Sequence, residues 1–244
     1  MKNDNIQQQT AIVTGASSGI GLGLTQALLA QGYRVVANSR TISKSKDLNP
    51  SDQLVLVDGN IGSKETAVRV ADAALKHFGR IDLLVNNAGI FISKPFTDYT
   101  EEDFEIMVST NVASFFYMTQ QVIPAMRKQK SGHIVNISTT MVDQPIAGVP
   151  SGLPSLTKAG MHAVTKELAM EYAGDGIRVN TVAPGVVNTP MHANDDHEFL
   201  KKLHPIRRLA EIPELVDAVL YLTSATFVTG EVLHIDGGAH AGKW

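Results

Sequence analysis

The stretch SGLPSLTKAG, residues 151–160, places one lysine where it could take part in chemistry. Lys158 lies among small and hydroxyl-bearing residues at the start of an apolar-periodic stretch. A lysine whose pKa is lowered by burial can move a proton near neutral pH. The residue one helical turn earlier is Pro154, which can neither donate nor accept a proton. If this segment is catalytic, any proton that its reaction requires must therefore come from a group other than residue 154. Otherwise the segment has no catalytic role.

A glycine-rich turn, GASSGIG at residues 15–21, stands between the first apolar run and a helix-spaced apolar pattern. At such a strand-to-helix turn, glycines let the backbone approach a ligand, and the helix N-terminus offers free amide groups to phosphate. The alternative is a tight turn that only packs a helix against a sheet. Its position directly after the first strand favours a dinucleotide phosphate site.

Ser39 and Arg40 stand at the end of the second predicted strand, where an NAD-binding protein would place an acidic residue for the ribose 2′-hydroxyl. A hydroxyl and a guanidinium can bind a 2′-phosphate, which a carboxylate would repel. The two residues therefore predict NADP(H) as the cofactor. The alternative is a solvated loop arginine.

The elements that must position these residues follow a regular alternation. Apolar runs that predict strands lie at 54–57, 81–85 and 133–138. A helical pattern at 64–78, closed by Gly79, lies between the first two runs, and another from about 155 to 173 follows the third. This alternation predicts a doubly wound, Rossmann-type α/β fold with a parallel sheet and helices on both faces.

Length and composition limit the remaining possibilities. The 244 residues predict a single domain, 1–244, in which the weakly patterned segment of about 190–208 is a substrate-side loop or lid. A net charge of -3 without a basic block argues against nucleic acid and membrane partners. The chain has no cysteine, and its polar start lacks the apolar core of a secretion signal. We expect a cytoplasmic protein that acts on a small molecule.

Several separated motifs together resemble the short-chain dehydrogenase/reductase family. They are TGASSGIG at 14–21, NNAG at 86–89, Asn111, IVNIST at 134–139, Lys158, PG at 184–185 and HIDGG at 234–238. Thr100 and Asp103 can cap the helix that carries Asn111. The order and coverage of the motifs are more specific than any single glycine turn, and bacterial 3-oxoacyl carrier-protein reductases are the nearest likeness within the family.

The resemblance implies a cofactor site along the chain. The residues that it places around the phosphates, the adenosine half and the nicotinamide half are Gly15, Ser17, Ser18, Gly19, Ile20, Gly21, Ser39, Arg40, Asn60, Ile61, Asn87, Ala88, Gly89, Lys158, Pro184, Gly185, Val187 and Thr189. Asn60 stands where many relatives have aspartate. NNAG can equally stabilise the end of a strand.

The likeness fails at one catalytic position. In the family a serine polarises the carbonyl, a tyrosine protonates it, and a lysine four residues later lowers the pKa of that tyrosine, while an asparagine completes a water relay. Asn111 and Lys158 match, and the serine position falls at Thr139 or, with a slip of one, at Ser138. The tyrosine position is Pro154. The chain has no tyrosine between Tyr117 and Tyr172, so no shift of register restores one.

Three accounts of this departure compete. In the favoured one, hydride transfer survives, and Lys158 supplies or relays the proton through a water held by Ser151 or Ser155. In the second, the protein binds NADP(H) without turning it over and acts as a regulatory or scaffold protein. In the third, the fold carries another reaction, which the retained glycine turn and Arg40 argue against.

The substrate side is less clearly marked. Phe91 and Met141 follow predicted strand ends, and Met191, His192 and Phe199 lie in the predicted lid, so these five residues are candidates for the substrate pocket, with ordinary packing as the alternative. The histidines and aspartates of 191–204 do not predict a metal, because only a partial ligand set follows from their spacing. His162, one turn after Lys158, is interpreted as a structural histidine. The resemblance implies a homotetramer, or else a dimer.

Overall fold

Seven parallel strands form one continuous sheet in the computed structural model, which describes residues 9–242. The strands are β1 (Thr10–Thr14), β2 (Arg34–Ser39), β3 (Leu54–Asp58), β4 (Leu83–Asn86), β5 (Gly132–Ile137), β6 (Ile177–Pro184) and β7 (Val232–Ile235). Their order is β3-β2-β1-β4-β5-β6-β7. The predicted doubly wound, parallel α/β fold is confirmed. Most of the polar N-terminal start, residues 1–8, lies outside the described residues.

Helices cover both faces of this sheet. They are α1 (Gly19–Ala30), α2 (Lys64–Phe78), α3 (Glu101–Met107), α4 (Ser114–Gln129), α5 (Gly152–Tyr172), α6 (His197–Lys201) and α7 (Ile212–Ser224). Successive residues of a strand point to opposite faces, so Ala11 and Val13 pack with α1 and α7, and Ile12 packs with α2 and α4. Both faces are buried, which explains why the strands read as nearly continuous apolar runs.

Local sequence signals set several helix boundaries. Ser63 accepts a hydrogen bond from the backbone N–H of Thr66 at the start of α2, and Gly79 ends that helix with φ of 77°. Thr100 and Asp103 form a reciprocal capping box at the start of α3. The predicted helix end at Gly79 and the predicted cap by Thr100 and Asp103 are confirmed.

Two predicted boundaries differ from the structure by more than one residue. The strand predicted from residue 81 begins at Leu83; just before it, the Asp82 carboxylate accepts the Thr10 backbone N–H at 2.8 Å and pairs with Arg80. The helix predicted from about Ser155 begins at Gly152, so Pro154 lies inside its first turn. Proline fits there because the first-turn N–H groups have no partner within the helix.

The strand order reverses between β1 and β4, on either side of which the chain winds in opposite directions. In open parallel sheets, ligands bind at the carboxyl ends of the strands beside such a reversal. The glycine turn leaves β1 and the NNAG segment leaves β4 at this point, so the fold itself brings the two motifs together. Among residues 9–242, no helix combines the length and the apolar character that a membrane crossing needs.

Candidate active site

The glycine turn places the open end of α1 at the carboxyl edge of the sheet. Gly15 and Gly19 adopt φ of 65° and 55°, a left-handed conformation that favours glycine. Ser18 is the N-cap of α1 but makes no side-chain cap, and the first turn carries no acidic residue. The amide groups of this helix end are therefore left to an anion, and Ser17 and Ser18 are exposed beside them. This arrangement fits the phosphates of a dinucleotide.

Gly21 is the glycine of this turn with the least room. A Cβ at Gly21 would lie 2.3 Å from the carbonyl oxygen of Gly15 and 2.5 Å from Nδ2 of Asn87. We expect Gly21→Ala to lose about 1–3 kcal/mol of stability. Because the turn must open, NADPH affinity should fall at least about tenfold, a loss of roughly 1.4 kcal/mol. Calorimetry and NADPH fluorescence titration measure the two effects.

Gly174 provides the matched control for that substitution. It is exposed, and a Cβ there would meet nothing within 4 Å. Gly174→Ala should leave both stability and NADPH affinity unchanged. Equal NADPH affinity in the Gly21 and Gly174 variants would contradict a phosphate-binding role for the turn.

Asn87 and Ala88 tie the end of β4 to the glycine turn. The hydroxyl of Thr14 accepts the backbone N–H groups of both residues at 3.0 Å. The side-chain amide of Asn87 donates to the carbonyl of Thr14 at 2.8 Å. Asn87 therefore has a structural role at this strand end, and its predicted contact to the cofactor stays a prediction.

The adenosine side lies at the ends of β2 and β3. Arg40 is exposed directly after β2, and within residues 9–242 no ion pair involves it. Asp58, opposite Ser39 in the sheet register, accepts hydrogen bonds from the backbone and hydroxyl of Ser43, and these bonds lower the pKa of Asp58. Its carboxylate is thus already engaged, whereas the Arg40 guanidinium is available to a phosphate.

Asn60 and Ile61 differ in what the structure does with them. The Asn60 carboxamide accepts the backbone N–H of Gly62 at 3.0 Å and is exposed, so it shapes the loop after β3. Ile61 is buried in the core between the sheet and α2. The Ile61 side chain is therefore not open to a ligand.

Lys158 lies on the buried face of α5 at the carboxyl end of β5. Its Nζ donates to the carbonyl oxygens of Ile137 and Ser138, each at 3.3 Å, and only 9% of the residue is exposed. A Cβ at Gly89 would lie 3.3 Å from Lys158 Nζ and 3.3 Å from Asn111 Oδ1. Burial lowers the pKa of Lys158 to about 8. The structure thus brings this lysine together with two other predicted site residues.

Asn111 is buried in a π-helical segment, Val108–Ala113, between α3 and α4. Its carboxamide accepts the backbone N–H of Ile90 at 2.9 Å and donates to the Ile90 carbonyl and to the hydroxyl of Thr157, both at 3.0 Å. A π-helical turn inside a helix often marks a functional position. Here the π-helical turn places Asn111 against α5, where Asn111 contacts Thr157, the residue before Lys158.

Ser138 and Thr139 face different surroundings. The Ser138 hydroxyl lies 2.9 Å from Nε2 of His162 and 3.5 Å from the carbonyl of Lys158, and the residue is 2% exposed. Thr139 is partly exposed, and the one hydrogen bond to its hydroxyl from within residues 9–242 is a long 3.4 Å contact from the Met141 backbone N–H. Of the two alternatives for the carbonyl-polarising hydroxyl, only Thr139 is open to a substrate.

Pro154 occupies the buried face of α5 one turn before Lys158. The first intrahelical hydrogen bond after it runs from the Ser155 N–H to the Ser151 carbonyl at 2.9 Å. Ser151 is buried and Ser155 is partly exposed at this end of the helix. The position holds no group that can donate a proton.

The ring of His204 packs against the turn that follows β6. Pro184 ends the strand, and a Cβ at Gly185 would lie 2.5 Å from Nε2 of His204. The same nitrogen accepts the Val186 backbone N–H at 2.9 Å, and burial lowers the pKa of His204. A neutral His204 therefore fixes this turn, which the sequence did not predict.

Beyond the turn, the chain returns to the glycine loop. Val187 is buried and pairs with Ala210 in an isolated parallel bridge. The side chain of Thr189 lies 3.5 Å from where a Cβ of Gly19 would be. The structure thus places Thr189 beside the glycine turn, and its role in cofactor binding stays a prediction.

The five substrate-side candidates are less closely gathered. Phe91 is partly buried just beyond the NNAG segment, and Met141 is buried in the short helix after Thr139. Met191 and Phe199 are about half exposed, at 55% and 46%. The predicted role of these candidates in the substrate pocket stays a prediction.

The predicted lid is packed onto the loop that follows β5. Asp196 caps α6 by accepting the N–H groups of Glu198 and Phe199. An apolar cluster joins the two segments, made of Leu200, Leu203 and Leu209 with Ile146, Val149 and Val186. His192 hydrogen-bonds to Asp195 at 2.7 Å. Within residues 9–242, no three histidine, aspartate or glutamate side chains are arranged to hold a metal.

Comparisons with known proteins place this geometry in a family. Residues 15–240 match the family model described as enoyl-(acyl carrier protein) reductase. The chain is 37% identical over 248 residues to an acetoacetyl-CoA reductase of Acinetobacter sp., covering 96% of this chain and 98% of that protein.

Two solved structures are similar throughout. A 3-ketoacyl-(acyl-carrier-protein) reductase from Brucella melitensis complexed with NADH gives a TM-score of 0.90 at 28% identity, covering 97% of this chain and 100% of that one. ElxO with NADP bound gives 0.89 at 28% identity, covering 96% and 100%. The chain therefore belongs to the short-chain dehydrogenase/reductase family. It is an oxidoreductase of the NAD(P)-dependent type.

Proposed function

We propose that this protein is an NADP(H)-dependent carbonyl reductase or alcohol dehydrogenase that protonates its substrate without a tyrosine. The observation that carries the proposal is the setting of Lys158. Its Nζ is buried at the end of β5, held by two carbonyl oxygens and adjacent to Gly89 and Asn111. A lysine in this position keeps its reach to the reacting oxygen although the residue one turn earlier is Pro154.

Lys158 can hold the proton that the reaction needs. Bound nicotinamide would supply hydride to the carbonyl carbon, and the proton must reach the carbonyl oxygen. With a pKa of about 8, Lys158 is mainly protonated at pH 7 but releases a proton far more readily than an exposed lysine. We infer that the proton passes directly, or through a water in the space beside Pro154, where Ser151 and Ser155 can orient it.

Two further residues complete the proposed site. The Thr139 hydroxyl is partly exposed and lightly bonded, so we assign it the polarisation of the carbonyl oxygen. Asn111, which contacts the Ile90 carbonyl and the neighbouring helix, is assigned the far end of the proton relay. Ser138 is not assigned to the substrate, because its hydroxyl is buried against α5.

Substrate class and assembly follow from different observations. Because the similar proteins named above include an acetoacetyl-CoA reductase and a 3-ketoacyl reductase, 3-oxoacyl thioesters belong in the first substrate panel. Large apolar side chains are exposed along α3, the π-helical segment, α4 and α5, namely Phe104, Val112, Phe116, Leu156 and Met170. We infer that a second copy covers this surface, in a homotetramer or otherwise a dimer.

The deciding experiment is NADPH oxidation by the purified protein at high enzyme concentration, with ketones, aldehydes, diketones and 3-oxoacyl thioesters. Turnover that disappears in Lys158→Ala supports the proposal. Tight NADPH binding without turnover on any substrate would overturn it in favour of a catalytically silent NADP(H)-binding protein. The specific observation that favours this second function is Pro154, because it leaves no phenol one turn before Lys158.

A further inference from the structure

Three polar side chains near Lys158 form a continuous chain that the proposed reaction does not use. The Ser138 hydroxyl lies 2.9 Å from Nε2 of His162, and Nδ1 of His162 lies 3.2 Å from a carboxylate oxygen of Asp143. Ser138 is at the end of β5, Asp143 follows the short helix after it, and His162 is on α5. The chain thus joins three separate segments around one buried hydroxyl.

The order of groups is that of a serine nucleophile with its base, but access excludes that role. Ser138 is 2% exposed and His162 is 9% exposed, so a substrate cannot reach the hydroxyl. The hydroxyl is instead turned toward the helix that carries Lys158. A role for these three hydrogen-bonded side chains must therefore involve a group inside the protein.

Ser138 contacts Lys158 at both ends of the lysine. Its carbonyl oxygen accepts from Lys158 Nζ at 3.3 Å, and its hydroxyl lies 3.5 Å from the Lys158 carbonyl. The other hydrogen-bond partner of Nζ among the described residues is the neighbouring carbonyl of Ile137. The direction of the ammonium group is therefore set by where the end of β5 sits against α5.

We propose that Asp143 and His162 are positioning residues, which hold Ser138 and through it aim the Nζ of Lys158 at the reacting oxygen. The inference rests on the proposed function of Lys158 and deepens it. A site without a phenol has one fewer group to orient the lysine, because the side chain of Pro154 has no hydrogen-bonding group. The hydrogen-bonded chain supplies that orientation from the next turn of the helix, where His162 lies four residues after Lys158 on the same buried face.

The charges around His162 are consistent with a neutral ring in this chain. Burial lowers the pKa of His162, opposed by Asp143, while His234 and Lys166 lower it further. Burial alone would raise the pKa of Asp143, but hydrogen bonds and charge from His234 and His162 bring it below its ordinary value. Neutral His162 can donate from Nδ1 to ionised Asp143 and accept the Ser138 hydroxyl at Nε2.

Substitution of His162 tests the inference, with two readouts. His162→Leu removes both hydrogen bonds, and we expect kcat to fall about tenfold with the KM for NADPH unchanged, because the cofactor contacts stay in place. We expect the pKa of Lys158 to shift, read from its 13Cε resonance in protein labelled with [13C]lysine and assigned with Lys158→Ala. His162→Gln keeps one donor and one acceptor and should recover most of both readouts.

Two further variants guard against a mere folding defect. Asp143→Asn changes a carboxylate whose side chain is 41% exposed, so it should fold normally and reproduce part of the His162→Leu effect. His77→Leu, at an exposed histidine of α2, should change neither readout. Melting temperatures near that of the wild type confirm that the compared proteins are folded.

The outcomes separate the two proposals. Wild-type protein that turns over no substrate overturns the proposed reductase, whereas the resonance still tests the positioning chain. An unchanged kcat and an unchanged Lys158 resonance in folded His162→Leu overturn the positioning role. Loss of kcat in His162→Leu without recovery in His162→Gln and without a resonance shift also overturns it, because a general packing defect would then explain the loss.

Discussion

Replacement of Lys158 by alanine is expected to lower kcat for NADPH-dependent reduction by about a thousandfold or more. General acid catalysis alone contributes about a hundredfold to ten-thousandfold. The substitution removes the buried ammonium that donates to the Ile137 and Ser138 carbonyls and that lies 3.3 Å from where a Cβ of Gly89 would be. The proposed proton source and the predicted contact of Lys158 to the cofactor would be lost together.

The measurement is steady-state NADPH oxidation with the best substrate from the panel, together with NADPH affinity by fluorescence. Lys76→Ala is the control, because Lys76 is exposed near the end of α2, which leads into the start of β4, whereas Lys158 lies at the carboxyl edge of the sheet. Unchanged turnover in Lys158→Ala would remove the lysine from the mechanism. A loss confined to NADPH affinity, with kcat intact at saturation, would limit Lys158 to binding.

The pH dependence of the wild type belongs to the same prediction. The folded pKa of Lys158 is lowered by burial to about 8, so the ammonium form that donates the proton is present below this pH and is lost above it. The reduction rate at saturating NADPH should therefore fall as pH rises through about 8, and oxidation of the alcohol should show the opposite trend. A flat reduction profile from pH 7 to 9.5 would contradict proton donation by this group.

Local patterns were sufficient to predict the fold. Period-two and helical apolar patterns located the strands and helices, and Gly79 and the Thr100–Asp103 pair marked two helix boundaries correctly. The chain order of the motifs then placed Gly89, Asn111 and Lys158 at one edge of the sheet. These features depend on residues close in sequence or on a topology shared by parallel α/β sheets.

Contacts between distant segments could not be read in the same way. Ser138 and Thr139 are equivalent in sequence, and only their surroundings separate a buried hydroxyl from an open one. No local sequence pattern marks Asp143, yet its carboxylate pairs with the ring of His162 on α5. The packing of the His204 ring against Gly185 is a third case, because the two residues lie 19 positions apart in the chain. Each depends on packing that no periodicity encodes.

Replacement of Arg40 by alanine is expected to weaken NADPH binding about ten- to hundredfold while leaving NADH binding nearly unchanged. Hydrogen bonds to a charged group contribute about 1.5–3 kcal/mol, and the 2′-phosphate is the one group that distinguishes the two cofactors. Arg40 is exposed at the end of β2, and the nearby carboxylate of Asp58 is engaged by Ser43. The guanidinium is therefore free to bind the phosphate.

The dissociation constants of both cofactors, measured by fluorescence for wild type, Arg40→Ala and Arg40→Lys, test this role. Arg40→Lys keeps the charge but loses the planar fork, so it should retain part of the preference. Binding should also weaken with salt in the wild type more than in Arg40→Ala, because the contact is exposed to solvent. Equal losses for NADPH and NADH would show that Arg40 does not bind the 2′-phosphate, and a wild type that prefers NADH would give the cofactor choice to Asp58 instead.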